Sequence, residues 1–143
     1  MSYPEKMLRG ISIPDWIDED GRLSAAAFQF DTANRTDGYE ETSINWYDEE
    51  NALTVLLTQQ KENTDSLQFK GGVAILPKEW VDTMMKNPTG NGIISYERQE
   101  LPNNKYHGNL LRSSSLHKSQ KTMISSTLAM GVEKIIKGER SPS

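Results

Sequence analysis

The sequence predicts an α+β fold, a small, mostly antiparallel sheet packed against two or three helices, the last of them a long C-terminal helix. Three observations predict it. Short strand-like segments alternate with helix-like ones along the chain, and Pro or Gly stands at most of the joints. Residues 93–97 and 105–112 are strand-like and joined by Pro102-Asn103-Asn104, which reads as a hairpin with a longer loop. Ile124, Leu128, Val132, Ile135 and Ile136 recur at spacings of 4, 4, 3 and 1, the pattern of a closing amphipathic helix. The 143 residues are 35% hydrophobic and 25% charged. Length and composition suit one domain over residues 1–143, with a loose leader at 1–6 and a frayed tail at 139–143.

Residues 7–13 form the first expected strand, stopped by Pro14, whose ring removes a donor. Asp18-Glu19-Asp20-Gly21 is a turn, since acidic side chains bond their local backbone and glycine supplies a positive φ. Residues 23–30 fit a strand or a short helix equally, and residues 34–41 read as an exposed loop. Residues 42–46 form a strand. Asp48 stands at a helix N-cap position, with Glu49 and Glu50 in the first turn, where carboxylates favour the dipole. Ala52, Leu53, Leu56 and Leu57 give that helix one apolar face. Residues 68–76 form a strand interrupted by Gly71-Gly72. Pro77 opens a helix whose face is Trp80, Val81, Met84 and Met85, and Asn87-Pro88 ends it. Thr89-Gly90-Asn91-Gly92 turns the chain into the hairpin. Ser115 or Ser119 caps the last helix, with Lys134, Lys137 and Gly138 at its end.

Several classes are excluded outright. No cysteine is present, which removes disulfide scaffolds, thiolate metal sites and cysteine nucleophiles. No apolar run approaches the ~20 residues of a membrane span. Met1 to Arg9 lacks an apolar signal region, so a cytoplasmic location is expected. The sequon at Asn34-Arg35-Thr36 is of a kind common by chance. The EF-hand pattern fails at Trp16 and Ala27, and neither Lys70-Gly71-Gly72 nor Gly90-Asn91-Gly92 has phosphate-loop spacing. The Ser-x-x-Lys at Ser115 and Lys118 lacks the further motifs of penicillin-recognising enzymes. Trp16, Trp46 and Trp80 read as core or core-edge residues. Neither a metal nor a cofactor is expected.

The net charge of −4 conceals an asymmetry. Residues 1–100 carry 9 Lys+Arg against 18 Asp+Glu, whereas residues 101–143 carry 7 against 2. Two readings of function follow. In the first, the protein is a non-enzymatic interaction module using Asp15, Asp18, Asp20, Asp48, Glu49 and Glu50 to meet a basic protein partner, because complementary charge steers association. In the second, nucleic acid binds through residues 105–121. There Tyr106, Arg112, Lys118 and Lys121 hold phosphate, and His107 and His117 serve as a general base and acid for metal-independent RNA cleavage. His107 and His117 are ten residues apart, a spacing unlike a metal-ligand pair. An exposed edge strand in a small sheet makes a homodimer compatible with either reading.

Leu8-Arg9-Gly10-Ile11, the segment Asp20-Gly21-Arg22-Leu23-Ser24-Ala25-Ala26-Ala27-Phe28, and Tyr106-His107-Gly108 ahead of a closing helix carry a resemblance. The chain resembles small prokaryotic single-domain proteins with a D-G-R-x-S-x-A-A-F-like segment and no assigned activity. The resemblance implies a small bacterial or phage protein, with an accessory or immunity-type role in a toxin or defence system as its association. It implies no catalytic residue and no ligand.

Overall fold

The chain forms six strands, the central ones buried along most of their length: β1 (Lys6–Ile11), β2 (Tyr39–Trp46), β3 (Gly72–Pro77), β4 (Ile94–Arg98), β5 (His107–Ser113) and β6 (Lys134–Ile136). They form one sheet in the order β4-β5-β2-β1-β3-β6, every neighbouring pair antiparallel. Three helices complete the α+β fold: α1 (Glu50–Thr58), α2 (Lys78–Lys86) and α3 (Lys118–Met130). This is a computed structural model, and it describes residues 3–32, 35–87 and 93–137. The sequon asparagine, Pro88, the turn at 89–92, Gly138 and the tail at 139–143 lie outside the described residues. No described helix is long and apolar enough to cross a membrane.

The sheet buries a core on each face. On one, Met7, Ile44, Trp46, Leu76 and Leu110 meet Val81 of α2 and Ile124 and Leu128 of α3, closed by Phe28. On the other, Leu8, Val73 and Ile75 meet Ala52, Leu53 and Leu56 of α1. Each fully buried leucine or isoleucine contributes roughly 1.5–3 kcal/mol relative to an exposed one. The pairing is uneven in a way that matters below. β2 and β5 stay in register from Tyr39–Ser113 to Asn45–His107. β1 pairs with β2 only at Met7–Trp46 and Leu8–Asn45, then follows β3 instead.

The turn at residues 18–21 forms as its chemistry requires. Asp18 Oδ1 accepts from the backbone N–H groups of Asp20 and Arg22, both at 2.9 Å, and Gly21 takes φ +81°. Elsewhere the structure corrects local expectations. Residues 23–30 form neither a strand nor an α-helix but a 3-10 turn, Ala25–Ala27, capped by Ser24 Oγ on Ala26 N–H. Asp48 does not cap α1; Glu49 holds that position without a side-chain cap, because Arg98 draws the Asp48 carboxylate into a fork at 2.8 and 3.0 Å. Gly72 starts β3, with Gly71 in the turn before it, rather than interrupting a strand, and Pro77 ends β3 as the N-cap of α2. Neither serine caps α3. His117 does, its backbone N–H donating to Gln120 Oε1 at 3.1 Å.

The largest correction concerns the closing helix. α3 ends at Met130 with Gly131 as its C-cap, and Lys134 to Ile136 form β6. In β6 the adjacent Ile135 and Ile136 project to opposite faces, where a helix would set them 100° apart on one side. Pairing with Val73, Ala74 and Ile75 covers the free edge of β3, a gain that no local pattern registers.

Candidate functional site

The two histidines are not brought together. Arg112 points toward α3, its Nη1 donating to Lys121 O at 3.1 Å and Ser125 Oγ at 3.3 Å. His107 lies five residues earlier in the same strand, an odd spacing, so it projects from the opposite face. There it is 9% exposed, and its Nδ1 lies 2.9 Å from Gln99 O. A carbonyl only accepts, so Nδ1 carries the hydrogen of that bond. His117 is exposed at the start of α3, on the Arg112 face. With the sheet between them, the pair cannot act on one phosphate, and the two-histidine cleavage mechanism loses its geometry.

Three of the four expected anion-binding residues do converge. Arg112, Lys118 and Lys121 line a cavity of about 500 Å³ with Phe30 and Ser125. The Arg112 guanidinium stacks 4.3 Å from the Phe30 ring centre. Two of these cations are already matched, however. Glu40 Oε1 accepts from Arg112 at 2.9 and 3.1 Å and takes Lys121 Nζ at 3.2 Å. Lys118, exposed, alone of the three has no such partner among the described residues. Tyr106 is elsewhere, buried beside α1, its hydroxyl donating to Glu49 and accepting from Asn51 Nδ2 at 3.2 Å. Glu40 is the residue that sequence reading missed, assigned to a loop; its role appears only once the register sets it opposite Arg112.

The acidic set divides into two groups at opposite ends of β1, whose six residues span roughly 17 Å. At one end every carboxylate is engaged. Asp48 is forked by Arg98. Glu49 is held below the usual carboxylate range by the Tyr106 hydroxyl and by Lys105, which lies at 3.3 Å. Glu50 accepts from the Tyr47 hydroxyl at 2.8 Å, and burial together with that bond pushes the tyrosine up. At the other end Asp15 and Asp20 are exposed, and among the described residues the Asp18 side chain bonds only its own turn. The charge asymmetry is therefore partly internal, with Glu40, Glu49 and Lys6 paired across the two halves of the chain.

Beside the free acidic turn opens a cavity of about 430 Å³ between Gly21 to Leu23 and the α3–β6 junction. Leu23, Met130, Val132 and Ile135 supply apolar walls, and Arg22, Glu133 and Lys134 supply charge. Met130 is 76% exposed at its rim. Val132 was legible only as part of the apolar face of the closing helix, since the end of α3 was placed too late. Among the described residues no three His, Asp or Glu side chains cluster as a metal site. The chain matches no protein-family model, no curated protein and no solved structure.

Proposed function

We propose that the protein is a non-enzymatic interaction module, of the kind that serves as an accessory or immunity-type subunit. Its partner docks at the cavity between the acidic turn and the α3–β6 junction. The observation that carries this reading is the adjacency of two features. Asp15, Asp18 and Asp20 carry carboxylates that form no ion pair among the described residues, and the turn ends at Gly21 to Leu23, which line a cavity whose apolar side chains, one of them the outstanding Met130, open to solvent. Interface cores take a buried apolar anchor, while rim charges steer the approach. The partner this surface fits presents an apolar side chain flanked by lysine or arginine. Methionine suits such a role because its flexible thioether adapts to the surface it meets.

The test is affinity purification from the host with wild-type, Met130→Glu, Asp20→Lys and Lys118→Glu chains, each with and without nuclease. A nuclease-resistant, stoichiometric partner lost from the first two variants and retained by the third is the expected outcome. A partner indifferent to Met130 and Asp20 overturns the placement. Nucleic-acid binding stands as a second reading because Arg112, Lys118 and Lys121 share one cavity. Recovery of salt-released nucleic acid that Lys118→Glu loses would favour it.

A further inference from the structure

The fork between β1 and β2 holds a guanidinium without a carboxylate. Past Leu8–Asn45 the two strands separate, and Arg9, which its place in β1 sets on the face of Met7 and Ala27, reaches into the gap from that side. Its Nε donates to Ala27 O at 2.9 Å and its Nη1 to Ser43 O at 2.8 Å, both backbone carbonyls. Among the described residues no carboxylate lies at ion-pair distance from it, and Asp31 acts on it only through its field. Burial pulls its pKa down to about 10, which leaves it charged at neutral pH. Arg35, Arg98 and Arg112 each sit on at least one carboxylate. A guanidinium has five N–H donors, and the two bonds of Arg9 leave the Nη2 pair and one Nη1 hydrogen over.

Arg9 lines a cavity of about 400 Å³ on the fork, together with Ser12, Ser43, Gln59, Gln68 and His107. These side chains fall into two kinds. The rim is locked: Asn104 Nδ2 donates to Asn45 Oδ1 at 2.8 Å, Asn45 Nδ2 donates to Ala52 O at 3.0 Å, and His107 Nδ1 is held by Gln99 O. The hydroxyls of Ser12 and Ser43 and the amides of Gln59 and Gln68 have no protein partner among the described residues. Phe69 closes one wall, its ring lying against Gly10, where any Cβ would clash with it. The rigid rim and the uncommitted polar groups together make a built concavity of ligand-binding size.

We propose that this fork binds a small organic monocarboxylate that carries a hydroxyl or a ring. The carboxylate takes the free guanidinium edge of Arg9, and the free hydroxyl and amide groups take its substituents, with Phe69 as a flat apolar wall. Charge count selects the class: Arg9 carries the one fixed charge of the lining residues, so a monoanion is matched and a phosphate dianion is not. The site is separate from the proposed docking surface and stands or falls independently of it.

The full-length chain is titrated with lactate and with benzoate, with acetamide as the uncharged control and inorganic phosphate as the divalent one. Calorimetry and the Arg9 Nε–H and Gln68 side-chain NMR signals are followed. Saturable binding of at least one carboxylate at millimolar concentration, with shifts at both groups, is the expected result. Arg9→Met weakens it on the order of tenfold or more. Ser43→Tyr, a change at an exposed strand position that fills the cavity, abolishes it with the melting temperature retained. Absence of saturable binding by both acids overturns the proposal. Equal binding of acetamide or phosphate also overturns it, as does carboxylate binding that survives Ser43→Tyr.

Discussion

Arg112 and Arg9 are both guanidiniums drawn into the same sheet, and they are satisfied in opposite ways. Arg112 lies on β5 with Glu40 across the β2–β5 ladder, Lys121 on the same carboxylate and Phe30 against its plane. Arg9 lies where the β1–β2 ladder has come apart, with two backbone carbonyls in place of an acid. The difference teaches how pairing and function trade places. Removing one partner of a buried ion pair costs far more than the pair contributes, because it strands the other charge. A half-buried cation with no acid to lose keeps its donors for something else.

The sharpest break of this comparison is Glu40→Ala. It strands Arg112, which is 7% exposed, and is expected to cost about 3–5 kcal/mol in urea unfolding. Arg9→Met is expected to cost less, about 1–3 kcal/mol, since it leaves only the Ala27 and Ser43 carbonyls short of a bond. A larger loss from Arg9→Met than from Glu40→Ala would show that Arg9 is structural first and would reverse the contrast.

Arg35 sharpens the comparison by pH. Its bonds to Asp37, Glu41 and Glu97 fall at 2.7 to 3.4 Å. Arg35 and then Asn109 hold Glu97 below the usual glutamate range. A carboxylate lowered in the folded state adds stability above its unfolded pKa and loses it as pH falls through the folded one. Acid titration of the wild type should therefore show a loss of stability beginning below about 4.5 that Arg35→Met flattens. Lys118→Glu is the smallest change expected, within about 0.5 kcal/mol, because that lysine is exposed and pairs with none of the described residues. A larger shift would show that the charge around Arg112 is balanced beyond Glu40.

Much of the fold was legible locally. The first strand, which ends at Ile11, two residues short of the expected end, the apolar faces of α1 and α2, the hairpin of β4 and β5 and the turn at Asp18 each depend on residues a few positions apart. The candidate sites were legible in part. Arg112, Lys118 and Lys121 line one cavity as their clustering suggested, and Gly21, at the end of the acidic turn, lines another. His107 and His117 separate because one strand alternates its faces, and Asp48 to Glu50 are consumed by Arg98, Tyr106, Lys105 and Tyr47. Those outcomes turn on partners up to fifty-seven positions away, and composition holds no record of them.

By itself, the sequence determined the α+β class, the punctuation by Pro and Gly, and which residues seek a core. Periodicity and turn chemistry act between near neighbours, and there they decide. Tertiary structure alone decided that Glu40 faces Arg112, that β1 leaves β2 at Leu8, and that Ile135 and Ile136 join β3 instead of lengthening α3. Each of these is a choice of strand partner, and the hydrogen bonds and burial that reward it exist only once distant segments have met.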